Sequence, residues 1–138
     1  EHEEAALGLG LSIRTRHSLG GLDLRHGDLR IDIITLDNGA PGLVPDAVQE
    51  AILNERISTV FGEDVFIVSI AHLIAMKLVA ERKKDIADIV ELIKVRLEMQ
   101  VWAEDYKQVK EVVKKHLGMW GIRQVNKLEK IAEEEMKE

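Results

Sequence analysis

Val65-Phe66-Ile67-Val68-Ser69-Ile70-Ala71-His72-Leu73-Ile74-Ala75-Met76-Lys77-Leu78 is the stretch on which the fold turns, because its hydrophobic period changes part-way along. Four consecutive apolar residues of strand length end at Ser69. Beyond it Ile70, Leu73, Ile74 and Leu78 recur at three and four residues, the spacing of one helix face. Ser69 is a good N-cap, since its hydroxyl can accept an orphan amide of the first turn. The helix is expected to stop near Ala80 or Glu81. After Arg82-Lys83-Lys84, Asp85 is read as the structural cap of a second helix, whose stripe is Ile86, Ile89, Val90, Ile93 and Leu97.

Working back toward the N-terminus, Gly62-Glu63-Asp64 turns the chain into that strand, and Asp46 to Asn54 has helical spacing through Val48, Ile52 and Leu53. Leu29 to Leu36 is the strongest strand, rich in β-branched residues and closed by Asp37-Asn38-Gly39 and Pro41-Gly42. Leu22 to Arg25 is a short strand joined to it by His26-Gly27-Asp28, and Leu9 to Thr15 alternates with the period of a half-buried strand. Toward the C-terminus, one helix covers about Ala103 to Leu117 with Tyr106, Val109, Val113 and Leu117 inward. Gly118 ends it, and a last helix runs from about Ile122 through Ala132 before a frayed Glu133 to Glu138. The reading is an α/β (α+β) fold: a small mixed sheet flanked by helices, with a helical C-terminal part. Residues 1–100 form the α/β domain, and residues 101–138 the helical part.

Composition narrows the function classes. The chain has 138 residues, enough for one domain with a real core. Acids exceed bases by 25 − 19 = 6, which argues against a surface that coats nucleic acid. There is no cysteine, hence no thiolate metal site or cysteine nucleophile, and a cytoplasmic location is expected. No apolar run approaches the ~18–20 residues that cross a bilayer, and Glu1-His2-Glu3-Glu4 does not resemble a signal peptide.

Few residues are candidates for chemistry. Asp32 interrupts Ile31, Ile33 and Ile34 in the best strand, although aspartate is a poor strand former. Two readings stay open: a carboxylate directed at Mg²⁺, which takes hard oxygen ligands, or a solvated partner of Arg30. Lys77 lies beside the buried stripe of its helix, where its ammonium can reach a phosphate or its stem can run along the core edge into water. Arg82, Lys83, Lys84, Asp85 and Asp88 form a mixed-charge knot that macrodipole complementarity explains without a ligand. His2, His17, His26, His72 and His116 lack metal-ligand spacing and read as surface or turn residues. Trp102, Tyr106 and Trp120 read as core. No phosphate-binding or dinucleotide-binding glycine motif and no nucleophile elbow is present.

The order Arg30-Ile-Asp-Ile-Ile34, a loop and short helix, Val65-Phe-Ile-Val-Ser69, Leu73-Ile-Ala-Met-Lys-Leu78, Arg82 and Lys84-Asp-Ile-Ala-Asp-Ile89 resembles the later part of small nucleotidyltransferase-fold proteins of the DNA polymerase β-like superfamily, especially their uncharacterised and toxin-related bacterial and archaeal branches. The resemblance covers about residues 8 to 95. It implies that Asp32 is the third metal-binding aspartate, with Mg²⁺ as cofactor, and that Lys77 and Lys84 are nucleotide-binding. The family's Gly-Ser turn and paired acids are absent ahead of Asp32, where only Glu1-His2-Glu3 has the spacing. About one helix and two strands would therefore precede residue 1, and Glu3 to Leu7 would end that helix. Two-metal transfer needs carboxylates that hold two cations. With those acids upstream, the implied reaction moves a nucleoside monophosphate from a nucleoside triphosphate to a hydroxyl. Without them, the implied protein is a noncatalytic interaction module that forms a homo-oligomer through its C-terminal helices.

Overall fold

The computed structural model describes residues 4, 8, 12–17, 21–33 and 40–138; before residue 40 it describes the side chains of 4, 8, 24, 25, 27, 28 and 31 only. The expectations for residues 1–3, 5–7, 9–11, 18–20 and 34–39, which include the helix end at Glu3 to Leu7 and the start of the strand at Leu9, lie outside the described residues. The chain divides into two compact units, Glu1–Asn38 and Gly39–Glu138. The first contains three strands in the order β1 (Ser12–His17), β2 (Gly21–His26) and β3 (Leu29–Ile33), all antiparallel. A register shift between Ile13 and Thr15 puts one extra residue into β1. His26 pairs with Leu29 across a two-residue turn in which Gly27 takes φ 58°, a left-handed value that glycine adopts without a Cβ penalty.

The second unit is mainly helical: α1 (Leu43–Leu53), a hairpin of β4 (Ile57–Val60) and β5 (Glu63–Phe66), α2 (Ile70–Ala80), α3 (Lys83–Glu98) and α4 (Trp102–Met136). The fold is α+β with a helical C-terminal part. The α2 helix begins where the change of period puts it: Ser69 Oγ accepts the His72 amide at 3.0 Å. It ends with Glu81 in the left-handed region. Asp85 caps α3 from a different position than expected. The N-cap is Arg82, and Asp85 sits three residues inside, where its carboxylate reaches back to the Arg82 backbone amide as in half of a capping box.

The α4 helix is broken at Gly118, whose φ 65° and ψ −157° belong to a region essentially reserved for glycine. Tyr106 Oη donates to Asn126 Oδ1 at 2.6 Å, although 20 residues of unbroken helix would separate them by ~30 Å. The two arms therefore fold back on each other. Gly121 permits their close approach: a Cβ there would lie 2.5 Å from Val113 Cγ1 and 2.7 Å from Leu117 Cβ. The second arm stays helical to Met136, past the expected fraying point, and Lys94 of α3 pairs with Glu135 at 3.3 Å near its end.

One core joins α2, α3 and both arms of α4 through Ile74, Leu78, Ile89, Ile93, Val109, Val113, Val125 and Leu128. Burying each such side chain contributes about 1.5–3 kcal/mol. Residues 101–138 thus belong to the same compact unit as α2 and α3, and the division of the chain falls after Asn38 where the sequence reading places it near residue 100. Trp102 is in the core, whereas Trp120, beside the break, is exposed. The α1 helix also differs from expectation. It buries Leu43, Ala47 and Ala51, leaving Val48, Ile52 and Leu53 in water.

Candidate functional site

Two polar clusters stand out in the second unit. The first gathers around Asp46, in the first turn of α1, where a carboxylate complements the helix dipole. His116 Nε2 lies 2.8 Å from Asp46 Oδ2, Lys115 Nζ 3.3 Å and His72 Nε2 3.5 Å. The side chains of His72 and His116 are 5% and 7% exposed, so neither is the surface or turn histidine that local spacing indicates. His72 Nδ1 is 2.6 Å from Ser69 Oγ. If His72 Nε2–H faces Asp46, the Ser69 hydroxyl accepts the His72 amide and donates its own proton to Nδ1, which satisfies every group.

The sequence Ser69, His72, Asp46 has the order of a nucleophilic relay, but its serine is buried and already serves as the cap of α2. Its role is mechanical: three helices, α1, α2 and the first arm of α4, are tied to one carboxylate. The His116 hydrogen bond holds Asp46 well below the usual carboxylate range, to about 2, against the opposing effect of burial and with help from Lys115 and His72. An open hollow of about 420 Å³ lies alongside, lined by Pro41, Gly42, Pro45, Asp46, Lys115 and His116 among others.

The second cluster is the charge knot between α2 and α3. Arg82 Nε donates to Asp85 Oδ2 at 2.6 Å and Arg82 Nη2 to Asp85 Oδ1 at 3.2 Å. Lys77 Nζ donates to Asp88 Oδ2 at 2.7 Å and lies 3.7 Å from Asp85 Oδ1. Asp85 is 2% exposed. Burial pushes its carboxyl up, yet the Arg82 guanidinium, the Lys77 ammonium and the Arg82 amide outweigh that and hold it below the ordinary value. Lys77 is therefore engaged with carboxylates of the protein itself, and Lys84 stands exposed in the first turn of α3.

Asp32 belongs to the first unit, and its side chain, like that of Arg30, lies outside the described residues. Its backbone is informative, because the β2–β3 register sets Asp32 directly opposite Asp23. Asp23 escapes sequence reasoning because nothing local links it to a residue nine positions on; the hairpin register alone does so.

Comparison with family models, curated proteins and solved structures returns no match.

Among the described residues no group of three or more His, Cys, Asp or Glu side chains is placed to hold a metal ion. The Asp46 cluster conforms to this, since its ring nitrogens and carboxylate are hydrogen-bonded to one another. No described helix is long and apolar enough to cross a membrane.

Proposed function

We propose that this chain is a nucleotidyltransferase-like protein in which Asp32 and Asp23 hold a divalent cation. The observation that supports the reading is their direct opposition in the β2–β3 ladder. Opposed residues of an antiparallel pair have Cα atoms ~4.5–5.5 Å apart, and like charges there weaken the sheet. A bound Mg²⁺ removes that repulsion and accepts one or two carboxylates together with phosphate oxygens. The activity is then Mg²⁺-dependent transfer of a nucleoside monophosphate from a nucleoside triphosphate to a hydroxyl acceptor. A two-metal centre takes carboxylates beyond these two. Within the second unit, Lys84 is exposed, whereas Lys77 is engaged by Asp85 and Asp88 and holds α2 against α3.

Calorimetric titration with Mg²⁺ and ATP tests this. Asp32→Asn and Asp23→Asn should each weaken Mg²⁺-dependent nucleotide binding by about tenfold or more. Binding that is absent from the unaltered chain extended at its N-terminus, or indifferent to both substitutions, overturns the proposal. A second reading, a noncatalytic module that associates with copies of itself, is favoured by one specific observation: the apolar side chains that β4, β5 and the end of α1 leave in water. Among its described contacts, the C-terminal pair of arms spends its apolar stripes inside the unit.

A further inference from the structure

The hairpin of β4 and β5 is built against its own interest as a free surface element. Its two-residue turn is Phe61-Gly62, with φ 51° and 78°, the paired positive values of a type I′ turn. Gly62 suits that backbone, whereas a bulky aromatic at Phe61 is an outlier where Asn or Asp is ordinary. The Phe61 side chain is also 85% exposed. Backbone preference and hydration both disfavour the residue that stands there.

Its surroundings repeat the pattern. Ile52, Leu53, Ile57, Val65 and Phe66 are all exposed, Leu53 to 73%. With Phe61 they leave on the order of 600 Å² of apolar side chain in water, spread over both faces of the hairpin, its tip and the end of α1, against the ~800 Å² per partner of a standard interface.

The outer edge of β4 names the partner. Ile67 N donates to Arg56 O at 2.8 Å, so Arg56 faces β5, and by alternation so do Ser58 and Val60. The amides and carbonyls of Ile57 and Thr59 therefore point away from β5, on a strand that, among the described residues, pairs with β5 alone. That edge, Ile57-Ser58-Thr59-Val60, carries no charge, no lysine and no proline, the usual devices against strand addition.

We infer that β4 is the dimerisation edge of this protein and that its occupant is the β4 edge of a second copy, with Phe61 as anchor. An antiparallel two-fold pairing centred on Thr59 uses only the outward groups. It sets Thr59 opposite Thr59, Ser58 opposite Val60, and Ile57 opposite Phe61 of the second copy. Charge selects this edge over that of β5. In a four-stranded β5-β4-β4-β5 sheet the Glu63 and Asp64 pairs are ~14 Å apart, beyond the ~8–10 Å screening length, whereas joining β5 to β5 would bring four acids onto neighbouring strands. The inference rests on the second reading above and is independent of nucleotide binding.

Sedimentation equilibrium of the whole chain across the micromolar range tests it. The mass should rise from 15.6 kDa toward twice that value. Phe61→Asn, which suits the turn, and Thr59→Lys, which places a charge on the edge, should each remain monomeric. The thermal midpoint of Phe61→Asn monomer should be no lower than that of unaltered monomer. Met119→Ser, at an exposed apolar position away from the hairpin, should dimerise as the unaltered chain does. Hydrogen exchange at the Ile57 and Thr59 amides should slow only where dimer is populated. A dimer indifferent to both hairpin substitutions overturns this surface and leaves self-association standing. A chain monomeric throughout overturns both and assigns the hairpin to a different protein.

Discussion

Asp46 receives His116, Lys115 and His72 on one oxygen, and the consequence is a stability that depends on acid. Its folded carboxyl is depressed from 3.8 to about 2. A group depressed on folding contributes its full stabilisation above the unfolded value and loses it as pH falls through the folded one. Asp46→Asn should therefore cost on the order of 1–2 kcal/mol near neutral pH. The gap from the unaltered protein should close between about pH 4 and pH 2, as read by urea unfolding at each pH. A gap that stays constant into strong acid would show that the carboxylate's charge is not what holds the three helices. Asp85→Ala, which strips Arg82 of its acceptor and α3 of its amide cap, should cost about 1–3 kcal/mol in the same assay. The charge knot was legible from sequence because its members lie within a dozen residues of one another. The Asp46 cluster was not, because its contacts span 26 and 70 positions, and no local period records two histidines meeting a carboxylate at that separation.

At the scale of elements, the fold-back of α4 depends on two glycines for different reasons. Gly121→Ala drives a methyl group into Leu117 Cβ and Val113 Cγ1, and should destabilise by about 1–3 kcal/mol. Gly118→Ala meets open space but an unfavourable backbone, and should cost about 1–3 kcal/mol without altering side-chain packing. Thermal unfolding followed by circular dichroism separates these from a control such as Lys110→Ala on the exposed face. The start of α2 at Ser69 and the break at Gly118 were legible because one residue type decides each. The buried face of α1 was not: the larger Val48, Ile52 and Leu53 dominate any periodicity count, while the helix packs through Leu43 and two alanines. The β4 strand is not legible in the sequence for a related reason, since four residues are too few for an alternation to stand out, and the two-residue hairpin begins at a Phe-Gly pair instead of the usual Asn-Gly.

For the whole molecule, the division after Asn38 predicts which fragments fold. Residues 39–138 contain the entire core of the second unit, from Ala40 and Leu43 to Ala132, and should retain a cooperative helical melt when expressed alone. Residues 1–100 lose Val109, Val113, Ile122, Val125 and Leu128, and should lose the cooperative transition of α2 and α3. The opposite result, a stable 1–100 and an unfolded 39–138, would restore the boundary that the sequence alone places near residue 100. That boundary misleads because the C-terminal helices look like an appendage in a linear reading, while their apolar stripes complete a core begun at Ala40 and Leu43. The α+β class itself follows directly from the order of periods along the chain.

The hairpin geometry of α4 also sets how the protein gives way under tension. With its two arms antiparallel and joined at Gly118, a load applied at Glu138 would be borne by the Lys94–Glu135 contact first and by the layers beneath it one after another. The final arm should peel off like a zip at low force, before the remaining helices rupture together.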